Sequence, residues 1–357
     1  MKEPQSGALP SSPWHLLRGP IGHISLRLKR RTVISGIWLL AVALVLITAG
    51  LAIGRYPVSL GDLPLTLLGR ADERLSLVVL EWRLPRIAGA LLCGAALAVA
   101  GALLQSVTRN PLGSPDLVGL DAGAQTGVLL TIICTGGGFA GIAAGAFGGG
   151  VLTALFVGSL SRSANGLPQL RLVVVGIGVS AMLHAVNTWL MLTADLHRAL
   201  LAAGWRAGSL VEIDASTLAF AAIPFLVLLS AAIAVSRSLR QLELGDELAL
   251  AHGIAVARSR IAAVVIAVGL TATTTAICGP IPFVALVAPQ LARLTMGTSG
   301  LAVLPSALVG AMSLLSVDLF ARLAFSDVQM PVGALTACFG GAYFGWLLWR
   351  ETKTGVF

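Results

Sequence analysis

Charged side chains are scarce in this chain, and those that stand out fall into two arginine groups and one loop. Arg83 and Arg86 open a run of about twenty apolar residues as Arg83-Leu84-Pro85-Arg86. Asp318 precedes Arg322 by four residues, so on one helix the two can meet as an ion pair. Between Gly245 and Gly253 the chain reads Asp246-Glu247-Leu248-Ala249-Leu250-Ala251-His252, with acids where a helix dipole favours them and a glycine where a helix should stop. These groups can bind and steer charged partners. The sequence holds no G-x-x-x-x-G-K-[ST] phosphate loop, nucleophile elbow or His/Glu metal cluster, so no catalytic residue, bound cofactor or metal site is expected. Cys93, Cys134, Cys278 and Cys338 lack metal-type spacing and read as small core hydrophobes. Uphill work driven by ATP would need a separate chain to hydrolyse it.

The elements that position these residues are membrane spans. Of the 357 residues, 56% are hydrophobic and 11% charged, and the mean hydropathy is +0.90, a composition foreign to water-soluble folds. The net charge of +8 is read as the basic bias that orients spans, not as nucleic-acid binding. Ten apolar runs are candidates, at 33–53, 87–106, 115–134, 141–160, 172–192, 216–235, 261–279, 283–296, 303–323 and 331–349. The third opens inside a polar stretch, the eighth is short, and 193–215 has room for a small external helix. The runs are continuously apolar, without the alternation of barrel strands, so the fold class is all-α.

The domain plan is an N-terminal segment 1–32, one membrane domain 33–350 and a tail 351–357. With both termini in the cytoplasm, roughly twice as many basic residues lie inside as outside. That orientation puts Arg55, Arg83, Arg86 and Arg322 outside. The first run sits too far along the chain for an ordinary signal peptide.

Three features have two readings each. The loop at about 240–260 is either solvated or a short helix on glycine hinges, suited to a soluble partner. Gly141, Gly145 and Gly149 form a small-residue ladder for close helix packing, and Gly341 and Gly345 suit either packing or a smooth wall for a bulky solute. His184 faces either a neighbouring helix or a pathway.

Five motifs in order resemble the FecCD family, permease subunits of ATP-binding-cassette importers for ferric siderophores, haem and vitamin B12. They are Arg83 to Arg86; Gly101-Ala102-Leu103-Leu104-Gln105 leading into Arg109-Asn110-Pro111-Leu112; the Gly245 to Gly253 loop; Gly279-Pro280-Ile281-Pro282-Phe283 through Pro289; and Met330-Pro331-Val332-Gly333. The stretches Asn110 to Asp116, Gly176 to Gly178, Asn187 to Leu190 and Ala207 to Leu210 look most like its ferric-siderophore branch.

The resemblance implies a half-transporter of about ten helices. Its partners would be a second, non-identical permease, two ATPase subunits carrying ATP and magnesium, and a periplasmic or lipid-anchored siderophore-binding protein, with lipid around the whole. Gly245, Asp246, Glu247, Leu248, Ala249, Leu250, Ala251, His252 and Gly253 would couple to the ATPase. Arg83, Arg86 and Arg322 would meet acidic residues of the binding protein, although headgroup anchoring is the plainer role for the first two. His184, Asn187 and Gln290 are candidate pathway residues, and Gln290 stands where many relatives have histidine. A cobalamin or haem importer, an ion-coupled secondary transporter and a membrane scaffold are the alternatives.

Overall fold

The computed structural model describes residues 14–18, 25–54, 56–115, 119–162, 169–297, 300–325 and 329–354. Arg55, Asp116 and most of the N-terminal segment lie outside this set, as do residues 355–357. From Arg30 onward the all-α expectation holds. Ahead of it β1 (Trp14–Arg18) pairs antiparallel with β2 (Ser25–Lys29), Trp14 opposite Lys29.

Long apolar runs satisfy their backbone groups in lipid only by winding into helices, and the described chain does so throughout. In order the helices are α1 (Arg30–Ala52), the short α2 (Leu63–Leu67) and α3 (Glu73–Ser76), a π-helical stretch Leu77–Arg83, α4 (Leu84–Thr108), α5 (Leu120–Thr135), α6 (Phe139–Ser161) and α7 (Gln169–Thr193). They continue with α8 (Leu196–Arg206), α9 (Ala215–Leu242), α10 (Asp246–Ala251), α11 (Val256–Cys278), α12 (Val284–Met296), α13 (Val303–Ala324) and α14 (Val332–Thr354). Seven described segments are long and apolar enough to cross a membrane. The shorter α5 and α12, together with α14, occupy the other three expected positions.

Several boundaries differ from the sequence reading: α9 runs on to Leu242 and α11 starts at Val256, beyond the expected 216–235 and 261–279, and two further span starts differ. The second span does not begin at 87: α3, the π stretch and α4 run on without a break from Glu73 to Thr108. Pro85 sits in the first turn of α4. The π stretch ahead of it closes on a bond from the Leu84 N–H to Val79 O, five residues back, so the helix widens and carries on instead of ending. The third span begins at Leu120, not 115, because Gly119 takes a left-handed conformation (φ 79°) as the cap of α5.

The α3–α4 segment is the axis of the bundle. In its most apolar stretch 78% of residues are buried, against 6% in α1, and it packs against α13, α11, α12 and α9. Contact is close enough that a β-carbon at Gly101 would collide with the Ala285 carbonyl of α12. The expected ladder on α6 packs on α5, since a β-carbon on Gly145 or Gly149 would strike the backbone of Gly127 or Gly123. Gly341 and Gly345 of α14 face open space within this chain.

The external helix expected in 193–215 is α8, capped by Asp195, whose carboxylate accepts from the Arg198 N–H at 2.9 Å. Asp214 caps α9 in the same way, accepting from the Thr217 N–H at 2.8 Å and the Ser216 hydroxyl at 2.7 Å.

Candidate functional site

At the end of the bundle where α1 stops, that helix finishes with unpaired carbonyls, as every helix does. Arg83 meets them: its guanidinium donates to Leu51 O at 2.6 Å, to Ala52 O at 3.1 Å and to Tyr56 O. Arg322 adds a longer bond to Gly50 O at 3.3 Å. Asp318, fully buried on α13, joins the other two arginines. Its Oδ1 accepts from Arg86 Nε and Nη2 at 2.9 and 2.7 Å, and its Oδ2 lies 2.6 Å from Arg322 Nη2.

Asp318 and Arg322 do form the expected i to i+4 pair, and Arg86 makes it a triad. Arg83 is 7% exposed and sealed against α1, so it is not the freely presented charge that a docking role pictures. All three arginines nonetheless line one cavity of about 370 Å³, together with Trp82, Phe325 and Gln329. Three guanidiniums against one carboxylate leave that cavity positive.

At the opposite end, the Gly245 to Gly253 loop folds into the short helix that its sequence foreshadows. Gly245 (φ 127°) and Gly253 (φ 76°) take backbone angles that disfavour side chains, and they turn the chain into and out of α10. Ala249 is buried against the bundle, while Leu244, Leu248 and Leu250 are exposed. An apolar edge on a polar loop is the form of a docking helix.

Asp246 is pinned, lying 2.6 Å from Arg109 Nη2 and 2.9 Å from Arg260 Nη2. Beside it Glu243 accepts from the Ser106 hydroxyl at 2.9 Å and the Leu301 N–H at 3.2 Å.

Midway lie two neighbouring cavities, of about 610 and 210 Å³. The larger is bounded by Gly119, Asp121 and Gln125 from the start of α5, Ser180 and His184 of α7, Arg206 at the end of α8, the Pro280–Pro282 turn, and Gly333, Ala334 and Ala337 of α14. His184 and Gln125 line both, and Asn187 lines only the smaller.

Asn187 is nearly buried. It donates to Ala122 O at 3.0 Å and accepts from the Thr126 hydroxyl at 2.7 Å, so its amide fixes α7 to α5. Gln290 does not join this wall. It donates to Pro111 O at 2.8 Å and so braces α12 against the loop that follows α4.

Arg206, Gln125, Ser180 and the Asp246 partner Arg260 were not singled out from the sequence, and the other Asp246 partner, Arg109, entered only as part of a motif. One signal was available for the cavity: Ser180, His184 and Thr188 recur every four residues along an apolar helix, which places a polar stripe on one face of α7. Arg109 and Asp246 are 137 residues apart, and no local pattern joins them.

With this geometry in view, comparison with known proteins gives concordant matches. The FecCD transport family matches residues 40–350. The ferric enterobactin transport system permease protein FepG of Escherichia coli (strain K12) is 44% identical over 326 residues, covering 91% of this chain and 98% of that protein. The probable siderophore transport system permease protein YfhA of Bacillus subtilis (strain 168) is 34% identical, covering 88% and 93%. Among solved structures, an inward-facing metal-chelate type ABC transporter is similar with a TM-score of 0.79 at 30% identity, covering 89% of this chain and 99% of that one.

Proposed function

The chain belongs to the FecCD transport family and is a multi-pass permease subunit of an ABC importer, and from that premise we propose that its cargo is a ferric siderophore. The observation that carries the choice of cargo is the 44% identity to a ferric enterobactin permease along nine-tenths of the chain. The wall of the large cavity agrees. Glycine, alanine and proline make most of it smooth, Arg206 and Asp121 place one charge of each sign on it, and Gln125, Ser180 and His184 supply hydrogen bonds. Such a surface suits a bulky chelate that must pass without being held. The iron would cross inside its chelator and need no ligand from this chain.

In this account the wall of α5, α7, α8 and α14 faces a second, non-identical permease, and the pathway runs between the two. A pair of separate ATPase subunits sits beneath and hydrolyses ATP with magnesium. The Gly245 to Gly253 segment rests on one of them through Leu248 and Leu250. A siderophore-binding protein docks outside, an acidic side chain entering the cavity lined by Arg83, Arg86 and Arg322. Because these arginines are already tied to α1 and to Asp318, the incoming acid orients the partner more than it holds it. ATP binding shifts the two α10 helices, rotates the helical bundles and exchanges inward for outward access. Both termini lie in the cytoplasm.

Asp318 carries no coupling ion here, because Arg86 and Arg322 already neutralise it. The test is uptake of radiolabelled iron by cells that have or lack this chain, offered ferric catecholate, ferric hydroxamate, haem and labelled cobalamin separately. Loss confined to one ferric siderophore is the expected result. Loss of cobalamin or haem uptake alone would overturn the choice of cargo.

A further inference from the structure

The α10 helix is six residues long and touches the bundle chiefly through α9 and α11. The central helix α4 is not among its main neighbours. A helix so lightly seated moves the core only if something ties it inward, and the tie is Arg109.

This arginine is the C-terminal cap of α4, in a left-handed conformation (φ 47°, ψ 31°) that favours glycine. Its Nη2 donates both to Leu242 O, at the end of α9, at 2.7 Å and to Asp246 Oδ1, at the start of α10, at 2.6 Å. Arg260 of α11 holds the two oxygens of the same carboxylate at 2.9 and 3.0 Å. One carboxylate therefore gathers the ends of three elements.

The same end of α4 is fastened twice more. The Ser106 hydroxyl donates to Glu243, and Gln105 donates to Leu286 O while accepting from Arg293. From there α4 runs unbroken for 25 residues back to Leu84, a length of about 37 Å at the rise of an α-helix. Arg86 sits in its first turn and Arg83 immediately before it, on the wall of the outer cavity. The inner clamp and the outer arginines are two ends of one continuous helix.

We propose that Arg109 is the positioning residue that makes α4 follow α10, so that a displacement of α10 is delivered along α4 to the arginine-lined cavity at its outer end. The proposal rests on the reading of Gly245 to Gly253 as the segment that meets the ATPase.

The experiment uses the complete transporter, purified with its partner subunits and reconstituted in phosphatidylethanolamine–phosphatidylglycerol vesicles, with cargo moved per ATP hydrolysed as the readout. For Arg109→Gln that ratio falls about tenfold, within the usual range of coupling energies, while the ATPase subunits still co-purify. Arg109→Lys, which keeps a charge within reach of Asp246, recovers most of the loss. Arg109→Gly relaxes the backbone but removes the tie, and stays as uncoupled as the glutamine variant. A normal ratio in Arg109→Gln or Arg109→Gly overturns the proposal, as does a ratio in Arg109→Lys as low as in the glutamine variant. Leu248→Asp tests the underlying premise separately: it should release the ATPase subunits. If they remain and transport persists, α10 is not the docking segment and the proposal falls with it.

Discussion

Asp318 is the residue on which the arginine-lined end of the molecule turns. It is fully buried, and its two flanking arginines are mostly buried with it. Removing one member of a buried ionic group leaves its partners uncompensated, at a typical cost of about 3–5 kcal/mol. Asp318→Asn should therefore lower the thermal unfolding temperature of the detergent-solubilised protein sharply, and more than Arg83→Gln. An unchanged unfolding temperature would show that water reaches the triad.

Asp214, the cap that precedes the apolar helix α9, makes a smaller and pH-dependent contribution. Hydrogen bonds from the Thr217 hydroxyl and N–H and the Ser216 hydroxyl hold its carboxyl at a pKa of about 2. A depressed carboxyl stabilises the fold above its unfolded value near 4. That contribution is lost as pH falls from there through about 2. Asp214→Asn should flatten the acid limb of stability across that window, and an identical limb in both proteins would contradict the assignment.

Elements were more legible than the contacts between them. Continuous apolar runs announced where the spans lie, because in lipid a helix is the only outlet for the backbone, although ends were misplaced by five residues or more at α5, α9 and α11. The π stretch was missed for a definite reason. Arg83-Leu84-Pro85-Arg86 has the charge and proline of a helix start, and only burial of Arg83 against the end of α1 shows that the helix passes through it. The arginine cluster was seen as charge but not as an inward-facing cap. The α7 polar stripe was written in the sequence at four-residue spacing, whereas the Arg109–Asp246 pair depends on how the whole bundle closes.

The α5–α6 contact was legible too, and it makes a prediction. Gly145 lies against Gly127 with no room for a side chain. Gly145→Leu must push the helices apart, at a typical overpacking cost of about 1–3 kcal/mol. Unfolding in detergent reads this directly, with Gly148→Leu as the control, since a β-carbon there meets nothing within 4 Å. Equal stabilities would refute the packing.

At the scale of the molecule, the three sites lie along the bundle: the arginine cluster at one end, the cavities between, and α10 at the other. The α7 and α14 faces that border the cavity remain open within this chain, with Gly341, Gly345 and Trp346 uncovered, so the passage has only one wall. A single subunit of this shape cannot seal a pathway, which is why the account requires a second permease. The most direct test is transport itself. The chain would be co-purified with its partner permease and ATPase subunits and reconstituted in vesicles with the siderophore-binding protein, and accumulation of radiolabelled ferric siderophore would be followed with and without ATP. The account predicts ATP-dependent accumulation that disappears when this chain is left out. Accumulation that needs no ATP but follows an imposed ion gradient would contradict it.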